Sequence, residues 1–139
     1  MSKHHQEIIR VETNGKRLYD VTDRVAEVVA ASGVATGLCT VFIQHTSASL
    51  CIQENAAPAV QRDILTFLER IAPESGSYEH DDEGPDDMPA HIRAAVMPTQ
   101  LSVPVSGGKL QLGTWQGVYV FEHRRMPHRR EILLHLAGE

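Results

Sequence analysis

A chain of 139 residues with 42% apolar side chains is long enough for one hydrophobic core and has the composition of a folded protein. Thirteen Lys and Arg against eighteen Asp and Glu give a formal charge of −5, which argues against a general nucleic-acid binder, because affinity for phosphate backbones needs clustered cations. No apolar run is long enough to span a bilayer, and Met1 to Gln6 lack the apolar stretch of a secretory signal, so the expected address is cytoplasmic with no membrane partner.

Gln6 to Glu12 carries Ile8, Ile9 and Val11. Asn14-Gly15 is a turn signal and Arg17 to Val21 resumes an extended pattern, which predicts a first hairpin. Thr22 or Asp23 can cap a short helix to Ser32, with Val25, Val28 and Val29 on its inner face and Gly33 as its stop. Leu38 to His45 and Ser47 to Gln53 read as strands separated by a polar corner. Cys39 and Cys51 lack CxxC spacing and read as reduced thiols, a disulfide requiring that they lie on facing strands.

Pro58 suits the first turn of a helix that carries Val60, Ile64, Leu65, Phe67, Leu68 and Ile71 at helical spacing, and Pro73 stops it. Glu74 to Asp87 is a polar, acidic loop, and Met88 to Met97 a short helix between prolines. Four strands follow: Leu101 to Val105, Lys109 to Trp115 after the Ser106-Gly107-Gly108 turn, Gly117 to Arg124, and Arg129 to Leu136. The order predicts an α+β fold, a single compact domain over residues 1–139 with a largely antiparallel β-sheet or sandwich and a few helices.

Strand parity puts Cys39, Val41, Ile43 and His45 on one face, and Tyr119, Phe121 and His123 on one face of a later strand. Each set ends in a histidine at a strand's end. His91 lies on the short helix after the acidic loop, and His80 within that loop is a weaker companion. Taken singly, each has an ordinary explanation as a hydrogen-bonded rim or helical histidine. Together, three neutral imidazoles can hold a divalent transition metal, zinc foremost, and leave one position open. Asp86 or Asp87 can cap the His91 helix or orient imidazole rings. Glu54, at a strand's end, is either a cap for the Pro58 helix or a general base. Trp115 and Gln116, between Gly113 and Gly117, are a bend or a wall against a ligand. Arg124 and Arg130 are solvated surface cations or a grip on a phosphate or carboxylate.

Several segments, in order, resemble the YjbQ-like family: His45-Thr46-Ser47-Ala48, Gln53-Glu54-Asn55, Glu83-Gly84-Pro85-Asp86-Asp87-Met88-Pro89-Ala90-His91-Ile92, Leu112-Gly113-Thr114-Trp115-Gln116-Gly117 and Glu122-His123-Arg124. The resemblance implies a compact α+β fold, a homotrimer, and a metal-type site near His45, His91 and His123, with Glu54, Asp86 and Asp87 as the matching acidic residues. It also implies a thiamine-phosphate synthase activity, joining a pyrimidine pyrophosphate to a thiazole phosphate. The chain departs from the family pattern at Gln53, Ala56-Ala57 and His135. The functional expectation is a metal-dependent enzyme acting on a small anionic or phosphorylated substrate, by that transfer or by phosphate-ester hydrolysis, with Glu54, Asp86 and Asp87 as its catalytic carboxylates, Glu54 or Asp86 moving protons and Arg124 or Arg130 holding the substrate. The alternatives are a non-enzymatic trimeric module binding a metal or small anion, and histidines that serve a subunit interface.

Overall fold

The computed structural model describes residues 1–139. In chain order it has β1 (Lys3–Thr13), β2 (Leu18–Asp20), α1 (Thr22–Ser32), β3 (Gly37–Ile43), β4 (Ala48–Glu54), α2 (Pro58–Ile71), α3 (Asp87–Val96), β5 (Gln100–Ser106), β6 (Lys109–Leu110), β7 (Gln116–Glu122) and β8 (His128–Gly138). This is the expected order of elements. The strands form two sheets, β1-β8-β3-β5-β6 and β2-β7-β4, and every strand pairing is antiparallel.

The expected first hairpin does not form. β1 and β8 are both eleven residues long and pair along their whole length, from Lys3↔Gly138 to Thr13↔His128. A three-residue β2 could satisfy little of β1, and it pairs instead with β7 in the other sheet. The Asn14-Gly15 turn, with Gly15 at φ +98°, therefore carries the chain between sheets. The corner between β3 and β4 does the same, which places His45 and Thr46 where one sheet gives way to the other.

One apolar cluster joins the two sheets to α1. It includes Val25, Val28 and Val29 from α1, Cys39, Val41 and Ile43 from β3, Leu50 from β4, Val118 and Val120 from β7, and Ile132, Leu134 and Leu136 from β8. Its period of two along β3 and β8 is the signature of strands buried on one face. β7 is central in its sheet and buried on both faces, because Tyr119 and Phe121 pack in a second cluster with Leu18 and Leu68. The outer face of the five-stranded sheet stays partly open, with Ile8 and Phe42 each 40% exposed.

Local chemistry differs from expectation at two points. α1 has no side-chain cap of its own; Asp20 Oδ1, two residues ahead, accepts the Thr22 amide at 2.9 Å. β6 stops at Leu110 because the Gln116 side chain folds back and accepts the Gly113 amide at 2.8 Å, closing a turn where a strand was expected. Cys39 and Cys51 are free thiols, on β3 and β4 of different sheets. Gly37 and Gly138 permit the close passage of β3 and β8. A Cβ on Gly138 would lie 2.1 Å from the Thr36 carbonyl oxygen, and one on Gly37 2.1 Å from that of Ala137.

Candidate functional site

The acidic loop is pinned from β7 outward. Arg124 follows β7 directly and donates from Nε to Asp86 Oδ2 at 3.0 Å, from Nη1 to Asp87 Oδ1 at 2.8 Å, and from Nη2 to the Glu83 carbonyl at 3.1 Å. The Arg125 amide adds a bond to Asp86 Oδ2 at 2.9 Å. The planar guanidinium spans the two carboxylates with one charge-assisted bond to each. Asp86 occupies the cap position of α3 but makes no side-chain cap bond, because its carboxylate is already held by the arginines. Burial pushes the Asp86 carboxyl up, but the Arg125 amide and the Arg124 guanidinium outweigh it and hold the group below its ordinary value of 3.8.

Asp87 is also buried, and its second oxygen faces two histidines. Oδ2 lies 3.0 Å from His80 Nε2 and 3.3 Å from His91 Nε2. The ligand atoms of His80, Asp87 and His91 all lie within 4.8 Å of one another; a second, fully exposed group is His80, Asp82 and Glu83. His91 Nδ1 sits 3.0 Å from the Thr46 carbonyl oxygen, which can only accept, so that nitrogen carries the hydrogen. The Nε2 lone pair of a neutral His91 is thereby aimed at an anionic oxygen. A cation between them relieves this arrangement, and a carbonyl on the far nitrogen is the usual outer support of a metal-binding histidine. The donor set of two imidazoles and one carboxylate suits zinc and its neighbours.

A pocket of about 480 Å³ opens beside this group, lined by Phe42 to Thr46, by His91, Ala94 and Ala95 of α3, and by Thr99. His80 borders separate clefts on the loop side, the larger of about 570 Å³. The His80–Asp87–His91 group thus stands between two openings.

Of the three histidines singled out in the sequence, only His91 joins this group. His45 lines the same pocket, but its Nε2 accepts the Glu131 amide at 2.8 Å, and its Nδ1 is 3.3 Å from the Arg130 guanidinium. With Nε2 accepting, the ring hydrogen sits on Nδ1, which faces a guanidinium that can only donate, so neither nitrogen is free for a cation. Burial and Arg130 hold its pKa below the ordinary 6.5. His123 is 1% exposed, with Nε2 paired to the Ser49 hydroxyl at 2.8 Å and Nδ1 buried without a partner. Burial, then the charge of Arg93, drives its pKa to about 3, so the ring is neutral.

Arg130 is also buried. Its guanidinium is bidentate to Glu122, which further accepts from Thr13 and the Arg124 amide, and it donates to both oxygens of Ser47. Burial pushes the Glu122 carboxyl up, but the bonds from Arg130 and Thr13 hold it below its ordinary value. Neither Arg124 nor Arg130 lines the 480 Å³ pocket. Glu54 Oε2 accepts the Ala56 and Ala57 amides at 3.2 and 2.7 Å, so it braces the entry to α2. Trp115 is 64% exposed, and its carbonyl accepts the Asn55 amide. Gln116 is engaged in its turn. Two partners were not evident from the sequence, the Thr46 carbonyl and Ser49, because both are set by which strands lie side by side.

The two antiparallel sheets, with a buried Arg–carboxylate clamp and a His–Asp–His group at the foot of a short helix, define a class of small α+β proteins. The chain belongs to the UPF0047 protein YjbQ-like family, whose sequence pattern matches residues 7–139. It is 52% identical to the UPF0047 protein sll1880 of Synechocystis sp. over 99% of this chain and 94% of that one. It is 40% identical to the UPF0047 protein YjbQ of Escherichia coli O157:H7 over 97% and 99% of the two chains. Among solved structures, a protein of unknown function from Sulfolobus solfataricus P2 superposes with a TM-score of 0.93 at 30% identity, covering 100% of both chains.

Proposed function

We propose that this protein is a metal-dependent enzyme acting on a small phosphorylated substrate. In this reading a divalent cation, zinc by donor chemistry, is held by His91, Asp87 and His80. The observation that carries the reading is that His91, with Nδ1 committed to the Thr46 carbonyl, turns Nε2 toward the buried Asp87 carboxylate, which also faces His80. A metal so held supplies Lewis-acid polarisation of a phosphate oxygen or an activated water. The chain's residues define the rest. Arg124 anchors Asp87, His45 presents a neutral ring to the pocket, and Phe42, Ala94 and Ala95 give it apolar walls.

No Lys or Arg lines that pocket. Charge recognition of a phosphorylated substrate therefore falls to the metal. This favours hydrolysis of a phosphate ester over a diphosphate-expelling transfer of the thiamine-phosphate synthase type, which calls for more cations around its leaving group. The family resemblance implies a homotrimer, and the exposed Phe67 and Ile71, one turn apart on α2, offer an apolar patch for association between copies.

The test is metal analysis of tag-free protein, followed by a phosphate-ester substrate screen before and after chelation. Co-purifying zinc, with a turnover that chelation abolishes and zinc restores, supports the reading. Protein that neither carries nor takes up a transition metal at this group overturns it. One observation favours a second reading, a non-enzymatic metal-binding module: Glu54 and Asp86, the carboxylates best placed in sequence for proton transfer, are both engaged elsewhere. Metal uptake without turnover in that screen selects it.

A further inference from the structure

The outer face of the five-stranded sheet carries a separate pair of ligand groups. On the β1–β8 ladder Gln6 is opposite His135 and His4 is opposite Ala137, so His4 and His135 are diagonal neighbours on one face. His4 Nδ1 lies 3.4 Å from His135 Nε2, and the Gln6 amide nitrogen lies 2.8 Å from His135 Nδ1. The rings are tilted by 50° with centroids 5.5 Å apart. None of the three residues touches the His80–Asp87–His91 group or lines any of the pockets described above.

We propose that His4 and His135 form a second metal site, for an exchangeable divalent transition cation of the zinc, nickel and copper class, with Gln6 orienting the His135 ring. The spacing carries the argument. Two nitrogens 3.4 Å apart, each at about 2.0–2.1 Å from a shared zinc, subtend an angle of about 110°, the tetrahedral value.

The protons balance without an external acid or base. In the metal-free pair one facing nitrogen bears the hydrogen of the contact and the other accepts it. On binding, His135 moves its hydrogen from Nε2 to Nδ1, where the Gln6 carbonyl oxygen takes it after a half-turn of the amide. That is the outer-shell arrangement that fixes a ligand's tautomer. Both rings stand on strands paired along their full length, so the backbone spacing is set before a cation arrives. Only two ligands come from the chain, which leaves positions for water or for a donor from another molecule and makes the cation exchangeable.

The experiment is titration of the full, tag-free, chelator-stripped chain with Zn²⁺ and Ni²⁺, by calorimetry and equilibrium dialysis. The wild type is compared with His135→Thr, His4→Ala, Gln6→Leu and His91→Gln. The expected result is a binding equivalent that persists in His91→Gln and disappears in both His135→Thr and His4→Ala. In Gln6→Leu that equivalent should weaken by roughly tenfold to a hundredfold. All the altered β1 and β8 side chains face outward, and circular dichroism checks that each variant is folded. Unchanged stoichiometry and affinity in His135→Thr or in His4→Ala overturns the proposal. Loss of all binding in His91→Gln likewise overturns it, whereas loss of one equivalent there with the other retained supports both sites, so the two fail separately.

Discussion

His91 donates its Nδ1 hydrogen to the Thr46 carbonyl at 3.0 Å, so a helix and the corner between the two sheets together select one tautomer of one ring. Asp87 is the carboxylate on the far side of that ring and is shared with His80. Asp87→Asn should therefore lower zinc affinity more than His80→Ala, since Asp87 is buried and fixed by Arg124 while His80 is half exposed. The expected losses are about a hundredfold and about tenfold, in the range found when metal-site partners are altered. Competition against a chromophoric chelator reads both. Equal affinities for wild type and Asp87→Asn would rule out this ligand set.

Arg124 ties Glu83, Asp86 and Asp87 to the end of β7. Arg124→Met leaves two largely buried carboxylates without their main partner and should cost about 1.5–3 kcal/mol, the scale of charged hydrogen bonds, with solvent screening keeping it toward the lower end. The loss should be local. Amide hydrogen exchange should quicken over residues 83–91 and stay unchanged in β1 and β8. The acid limit follows from Asp86, whose folded pKa is lowered. Its contribution is fully present above the ordinary value of 3.8 and is lost as the pH falls through the folded value.

Arg130 illustrates how far sequence reasoning reaches. The element order, the alternation in β3 and β8 and the Gly33 stop follow from local chemistry, and the structure has them. Strand partners are a different matter. β1 finds β8 across more than a hundred residues of chain, and nothing local to Asn14-Gly15 says so. The same limit governs the site. Arg130 and Arg124 have the chemistry of anion-binding residues, and only their neighbours reveal that carboxylates of the same chain already occupy them. His45 and His123 have the chemistry of metal ligands, and a backbone amide and a serine hydroxyl engage them instead.

Because Arg130 is 3% exposed and bidentate to Glu122, its removal should read out as stability and not as ligand affinity. Arg130→Met strands the Glu122 carboxylate and should cost about 3–5 kcal/mol in urea unfolding. Arg130→Lys, which keeps the charge but loses the fork, should fall between that variant and the wild type. If either variant instead kept wild-type stability while losing ligand affinity, Arg130 would be a substrate residue after all.

His123 makes the last prediction, and its sign is fixed by burial. In the folded chain its pKa is lowered from 6.5 to about 3, so between these values the unfolded chain binds a proton that the folded one refuses. Stability from this group is whole above pH 6.5 and is lost progressively as the pH falls toward about 3. One such proton gives a slope of up to about 1.4 kcal/mol per pH unit. His123→Gln keeps a hydrogen-bonding group toward Ser49 and cannot titrate. Urea unfolding of both proteins between pH 7 and pH 4 should show the wild type losing stability faster, with the two curves converging on acidification. Parallel curves would mean that His123 takes up its proton in the folded state, which would require the buried Nδ1 to have a partner that accepts it.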